Sequence, residues 1–93
     1  MKIGKLIYWN SRFGFIEVRI PEPIGIKIER YFLHSSRIVL EPATIQEGQF
    51  VRFVVREQQP KTGQLPYAGE AQIFETEEQL QAAEKVEVIG GSK

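Results

Sequence analysis

The clearest periodic pattern in the chain runs from Phe13 to Ile20, where two kinds of side chain alternate along the sequence. Alternation with a period of two is typical of a β-strand, because successive side chains leave opposite faces of the strand. One face is aliphatic and predicts a contact with the core. The other face begins with Phe13 and Phe15 and continues with Glu17 and Arg19, so we predict that it faces water along its whole length.

Four further segments carry strand patterns, and turn residues separate them. Asn10 and Ser11 predict a turn before the second strand, and Pro21 ends that strand because proline cannot donate a ladder hydrogen bond. A short turn or 3₁₀ segment is expected at residues 35–38, and residues 39–49 are expected to form a long connection. The predicted strands cover residues 2–9, 13–20, 26–34, 50–57 and 66–74.

The sequence pattern changes from strand-like to helix-like after residue 75. Thr76 followed by Gln79 matches a capping box, in which the two side chains satisfy the first free amides of a helix. We predict a helix to about residue 85, then a short strand or a docked tail at residues 86–89, with the last four residues fraying. The predicted division is a domain of residues 1–75 and an acidic tail of residues 76–93.

Five short strands with one long connection before the fourth predict an all-β fold. The expected architecture is a five-stranded antiparallel Greek-key barrel of the oligonucleotide-binding type, followed by a short helical or irregular tail. A β-sandwich is the competing all-β architecture, but about five strands are too few to build one.

The third predicted strand adds a second aromatic group to the outward surface. Phe32 and His34 share one face of that strand. If it pairs with the second strand, then Phe13, Phe15, Phe32 and His34 form one contiguous outward surface, on which unpaired bases could stack. The competing interpretation is that the phenylalanines lie in the core, as most phenylalanines do, and that His34 is an ordinary surface residue.

Composition and charge narrow the kinds of partner. The chain has no cysteine and one histidine, which excludes a disulfide framework, a thiolate zinc site and an imidazole metal cluster. No apolar run reaches membrane-spanning length and no secretory signal pattern is present, so we expect a cytoplasmic protein that does not contact membranes.

Charge is unevenly distributed along the chain. Residues 1–37 carry seven basic and three acidic side chains, whereas residues 38–93 carry five basic and nine acidic ones. The aromatic part of the chain is therefore its basic part, which suits a polyanion.

The sequence does not predict an enzyme. We find no nucleophile–base pair, metal-ligand cluster or cofactor loop, and we expect no cofactor and no small-molecule substrate. Lys61, Thr62 and Gly63 resemble a fragment of a phosphate loop, but the rest of that glycine-rich motif is missing, and we interpret them as a turn. Three glutamates of the tail, Glu77, Glu78 and Glu84, are better explained as a solvated helix face than as catalytic carboxylates.

A series of short motifs within residues 4–73 resembles one known family. Residues 4–10 resemble its first strand, G-x-V-K-W-F-N, and residues 12–16 resemble its first ribonucleoprotein motif, K-G-F-G-F-I. Residues 32–34 resemble its second motif, F-V-H-F. Residues 47–53 fit E-G-Q-x-V-x-F without a gap, and residues 71–73 fit the closing A-x-V. In this order the motifs resemble the cold-shock domain, and some of them also resemble the RNA-binding repeat of the large ribosomal small-subunit protein, which has the same barrel.

The resemblance implies a barrel that binds single-stranded RNA or DNA on exposed aromatic rings, as an RNA chaperone or a regulator of gene expression. Tyr8 takes the place of the family's surface tryptophan and Trp9 that of its phenylalanine. Because the order of the two kinds of ring is reversed, the sequence does not say which of them meets the ligand. Ile7 replaces a family lysine and Ser35 a family phenylalanine, and the turn before Phe13 is two residues shorter. The expected nucleic-acid contacts are Lys5, Tyr8, Trp9, Arg12, Phe13, Phe15, Phe32, His34 and Arg37. The alternative function is a protein-interaction or structural barrel that has lost its nucleic-acid ligand.

Overall fold

The computed structural model describes residues 1–57 and 63–91. The turn predicted at Lys61 to Gly63 lies mostly outside the described residues, as does most of the connection predicted at residues 58–65. The described elements are strands β1 (Lys2–Trp9), β2 (Phe13–Pro21) and β3 (Ile26–His34), a 3₁₀ turn (Ser35–Arg37), strands β4 (Ile38–Leu40), β5 (Phe50–Val55) and β6 (Ala68–Phe74), and helix α1 (Glu77–Gly91).

The all-β fold class is confirmed: the strands form one sheet in the order β3-β2-β1-β5-β6-β4. The pairs β1–β2, β2–β3, β1–β5 and β5–β6 are antiparallel, whereas β4 pairs with β6 in parallel. The structure has six strands rather than the five predicted. Residues 38–40, expected to be a turn and a connection, form β4 because Ile38 packs against the core and lies opposite Ala71 of β6.

The sheet is not closed into a barrel, although its two ends approach each other. An isolated parallel bridge joins Phe32 of β3 to Tyr67, and the Phe32 amide donates to the Pro66 carbonyl at 2.8 Å. β3 ends two residues later, and the 3₁₀ turn interrupts the parallel ladder until β4 resumes it beside β6. The interruption explains both the open sheet and the additional strand.

The core lies on the inward face of the strands, as the alternation of β2 predicted. Leu6, Ile16, Leu33, Val51 and Phe53 are completely buried. Burial of each such side chain contributes roughly 1.5–3 kcal/mol to folding.

Alternation along β5 predicts that Arg52 faces outward and is solvated, but Arg52 is buried. Its Nε donates to Oε1 of Gln72, which lies directly opposite on β6, at 2.9 Å. The hydrogen bond explains how a guanidinium can be buried there, because a buried charged group needs a partner.

Helix α1 begins at the predicted cap. The Gln79 amide donates to Oγ1 of Thr76 at 3.2 Å, and Oε1 of Gln79 accepts from the Glu75 amide at 3.0 Å. The predicted end was wrong, because the helix runs through residues 86–89 to Gly91. No proline or glycine interrupts the segment before Gly90, so the backbone ladder continues. Leu80 in the first turn is buried, so α1 packs against the sheet. No helix in the described ranges is both long and apolar enough to cross a membrane.

Candidate nucleic-acid interface

Five aromatic rings form a cluster on the outward face of the sheet, which we call the ring platform. Neighbouring rings have centroid separations of 5.5–6.1 Å and are tilted or edge-on to one another, which is the packing that aromatic pairs prefer. The ring platform consists of Tyr8, Phe13, Phe15, Phe32 and Tyr67.

The register of β2 and β3 assembles the centre of the platform. Phe15 lies opposite Phe32, and Phe13 lies opposite His34. Directly opposite residues in an antiparallel pair share a face, so the alternation read from the sequence places these four side chains together, as predicted. The inward neighbours Gly14 and Leu33 form the next pair and are buried.

The platform rings are neither core residues nor fully exposed. Phe13, Phe15 and Phe32 are each half-buried, and Tyr8 retains 40% of its accessible surface. None of the five belongs to the buried core cluster. The rings shield one another on their edges and leave part of their surface open to solvent.

A β-bulge in β1 decides which ring of the Tyr8–Trp9 pair joins the platform. Leu6 lies opposite Ile16 and Tyr8 lies opposite Phe15, so Ile7 is an extra residue on the β1 side. The bulge shifts the alternation, so Leu6 is buried while Ile7 and Tyr8 are both exposed. Tyr8 therefore lies in the platform.

Trp9 lies opposite Gly14 and packs against the core instead. A Cβ atom at Gly14 would collide with the Tyr8 carbonyl oxygen and would lie 2.8 Å from Cε3 of Trp9. Only glycine allows β1 and its indole to approach β2 this closely. Trp9 is therefore one of the expected contact residues that the structure directs away from the ring platform.

The tight turn before Phe13 fixes the backbone of Arg12. Oδ1 of Asn10 accepts from the amides of Arg12 and Phe13 at 3.0 and 2.9 Å, and Ser11 adopts a left-handed conformation with φ of 76°. The Arg12 carbonyl accepts from the Ser35 amide at 2.8 Å, which ties the turn to the end of β3. The Arg12 side chain is exposed beside the platform ring Phe13.

His34 caps the 3₁₀ turn and presents one ring nitrogen outward. Its Nδ1 accepts from the Ser36 amide at 3.1 Å and lies 2.8 Å from the Ser36 hydroxyl. A backbone amide can only donate, so Nδ1 is the acceptor and Nε2 carries the proton. The exposed imidazole is thereby oriented with a donor available to a ligand.

Two shallow hollows flank the Phe32–Tyr67 pair. One, of about 320 Å³, is lined by Phe15, Phe32, Gln64, Leu65 and Tyr67. The second, of about 340 Å³, combines rings with basic and hydroxyl groups. It is lined by Phe32, His34, Ser36, Arg37, Arg56, Tyr67 and Ala68. Arg37 thus reaches the same surface as the platform.

The charged end of β2 borders the platform on another side. Glu17 follows Phe15 on the outward face and accepts from Arg19 at 3.1 Å and from Arg30 at 3.3 Å. The hydrogen bond from Arg19, with a smaller contribution from Arg30, lowers the pKa of the Glu17 carboxyl below 4.5. Lys5 lies opposite Glu17 on β1, with its Nζ 5.4 Å from the centroid of the Phe50 ring rather than over the platform.

Tyr67 is the platform member that the sequence did not single out. Its ring centroid lies 5.8 Å from that of Phe32, and the Arg56 guanidinium lies 5.5 Å from it. Strict alternation from the buried Ala71 and Ile73 places Tyr67 on the inward side of the last strand. A β-bulge at Glu70, which has φ of 46°, shifts this alternation and turns Tyr67 outward. Its neighbour could not be predicted, because the bridge between Tyr67 and Phe32 joins segments far apart in the chain.

Within the described part of the chain, no three acidic or histidine side chains come together in a way that could hold a metal ion. Comparisons with protein-family models, with curated proteins and with solved structures found no match to the chain. The resemblance to the cold-shock domain therefore rests on the sequence motifs alone.

Proposed function

We propose that this protein binds single-stranded RNA or DNA by stacking unpaired bases on the ring platform. The observation that carries the proposal is the placement of five clustered rings outside the core, on one face of a sheet. Half-buried rings that leave surface open to solvent form a sequence-tolerant binding surface, because every base has a flat π-face. Binding of this kind suits an RNA chaperone or a regulator of gene expression.

The groups around the rings suit the rest of a nucleotide. The exposed side chains of Arg12 and Arg37 supply positive charge for phosphates at two places on the rim. His34 offers its Nε2 donor to a base edge or a phosphate oxygen. Base stacking on an aromatic ring contributes about 1–3 kcal/mol per base, so stacking carries most of the affinity.

We further propose that the architecture is an oligonucleotide-binding Greek-key barrel that is incompletely closed. In this interpretation β1, β2, β3, β5 and β6 are the five barrel strands, and β4 is a continuation of β3. The strand order and the bridge from Phe32 to Tyr67 support it, since folds of this type are partly open barrels. The cold-shock motifs in the sequence support the same relationship.

The proposal is tested by titrating fluorescently labelled oligo-dT and oligo-U with the parent protein and with Phe15→Ala and Phe32→Ala. We expect each substitution to weaken binding roughly five- to hundredfold, since one stacking contact is lost. Phe50→Ala is the matched control, because it removes a half-buried ring that lies outside the platform and should leave the affinity within about twofold.

Equal losses of oligonucleotide affinity in all three variants, or no binding by the folded parent, would contradict the proposal. The second result would favour the alternative that the sequence left open, a barrel that contacts proteins instead of nucleic acid.

A further inference from the structure

The β2–β3 hairpin carries exposed apolar side chains at the far end of the sheet from the 3₁₀ turn. Ile24, Ile26 and Ile28 keep 94%, 60% and 50% of their accessible surface. Ile26 and Ile28 lie on β3, opposite Pro21 and Arg19 of β2. Both isoleucines therefore share the outward face with the ring platform.

β3 is the first strand of the sheet, and within the described residues its outer edge is occupied only at Phe32. Because the Phe32 amide donates to Pro66, it points away from β2. Amides of an antiparallel strand alternate in direction, so those of Ile26, Ile28 and Arg30 point outward too. Residues 26–30 are thus an exposed edge with three outward amides and three outward carbonyls.

We propose that this edge pairs with the same edge of a second copy of the chain. The pairing is antiparallel and two-fold symmetric, with Ile28 on the axis, because residue 28 is the middle of the exposed stretch. In this register Ile28 lies opposite the partner's Ile28, and Ile26 lies opposite the partner's Arg30. These outward residues exchange their amide and carbonyl hydrogen bonds across the axis.

Charge complementarity supports the same register. Lys27 and Glu29 flank Ile28 on the opposite face of the strand, and the symmetric pairing places Lys27 of each copy opposite Glu29 of the other. The two side chains already attract each other within one chain, with Nζ and Oε2 3.7 Å apart. Pairing centred on residue 27 or 29 would instead place identical charges opposite one another, which is destabilising.

The dimer would be a continuous sheet with both ring platforms on one side. Phe32 lies four residues from the axis, so the two Phe32 side chains would be about 27 Å apart along the strands at 3.3–3.4 Å per residue. A long single strand could then reach both platforms if the proposed function holds. The association itself does not depend on that function.

The first test is sedimentation equilibrium without nucleic acid, from roughly 10 μM to 1 mM protein, a range suited to weak association. Ile28→Pro removes an outward amide that the β2 ladder does not use, and proline is tolerated at such positions on edge strands. We expect at least tenfold weaker association. Ile28→Val keeps the amide and Ile24→Lys removes exposed apolar surface outside the strand, so both should associate like the parent.

A parent that stays monomeric throughout this range overturns the proposal, as does association that Ile28→Pro leaves unchanged. An equal loss of self-association in Ile24→Lys also overturns the proposal, because that result indicates nonspecific hydrophobic association. If circular dichroism shows that Ile28→Pro does not fold, Ile28→Lys replaces it. That variant places two like charges on the axis and should also associate at least tenfold more weakly.

A second test uses charge reversal. Lys27→Glu and Glu29→Lys should each weaken self-association, because each places like charges opposite one another. An equimolar mixture should associate more strongly than either variant alone, because every cross-axis pair then has opposite charges. Absence of this recovery would contradict the proposed register.

Discussion

At the scale of single residues, partial burial of the platform rings gives them two roles. Phe13, Phe15 and Phe32 contact one another and also keep open surface for a ligand. Each ring should therefore contribute to stability, but less than a ring in the core. Phe53, which is completely buried and packs edge-on against Tyr31 with centroids 4.9 Å apart, is the natural comparison.

We expect Phe15→Ala to lower the free energy of unfolding by about 1–2 kcal/mol, since a partly exposed ring loses less buried surface than a core ring. Phe53→Ala should cost about 3–5 kcal/mol, because it leaves a cavity in the core. Urea unfolding of the two variants measures both values. Equal costs would show that Phe15 is a core residue, and the ring platform would then not be available to bases.

Gly14 controls how closely β1 approaches β2. Gly14→Ala should destabilise the protein by about 1–3 kcal/mol, because the added Cβ meets the Tyr8 carbonyl and the Trp9 ring. Gly69→Ala is the matched control, since its Cβ would meet only the flexible Arg56 side chain at close range. Thermal melts that show similar losses for both variants would contradict this explanation.

The sequence predicted the inward and outward sides of β2 because a period of two requires no knowledge of neighbouring strands. It could not assign Tyr8 and Trp9, because the bulge at Ile7 appears only when β1 is paired with β2. Strict alternation along β1 would have placed these rings on opposite faces without saying which one was outward. Tertiary pairing decides that question.

At the scale of elements, the short pieces were the hardest to predict. β4 has three residues and owes its existence to its contact with β6, so its local pattern is too short to be periodic. The start of α1 was predictable because Thr76 and Gln79 form a local cap. The end of α1 could not be predicted in this way. Val86, Val88 and Ile89 are β-branched, and such residues disfavour a helix too weakly to end it.

Leu80 is a buried residue of α1 that packs against the sheet, so its substitution measures how much the tail contributes to stability. We expect Leu80→Ala to cost about 2–3 kcal/mol and to leave a cooperative unfolding transition. A chain that ends at Glu75 should lose a similar amount, still fold, and bind oligonucleotides at least as well because acidic residues are removed. Loss of cooperative unfolding in the shortened chain would show that residues 1–75 are not a complete domain.

At the scale of the whole molecule, a charged cluster links the start of β1 to β3. Glu29 accepts from the Tyr31 hydroxyl at 3.0 Å and from Lys2 at 3.3 Å. The hydrogen bond from Tyr31, followed by that from Lys2, lowers the pKa of Glu29 below 4.5. The bond to Glu29 raises the pKa of Lys2, and burial raises the pKa of the Tyr31 hydroxyl.

This cluster predicts a pH dependence of stability with a definite sign. Because the folded carboxyl has the lower pKa, the unfolded chain takes up a proton first, and stability falls as the pH drops from about 4.5 through the folded pKa of Glu29. Urea midpoints of Glu29→Gln, measured in dilute solution, should fall less steeply than those of the parent over this range. Glu41→Gln, an exposed glutamate outside the cluster, is the control. An unchanged slope in Glu29→Gln would contradict the assignment.

The central claim is that bases stack on the ring platform, and an indole placed in it tests the claim most directly. We expect oligo-dT to quench the fluorescence of Tyr8→Trp more strongly than that of the parent, whose single indole, at Trp9, packs against the core. Phe50→Trp carries a second indole outside the platform and should respond like the parent. Stronger quenching confined to Tyr8→Trp is the predicted result. Equal quenching in all three proteins at saturating oligonucleotide would show that nucleic acid does not bind where the rings lie.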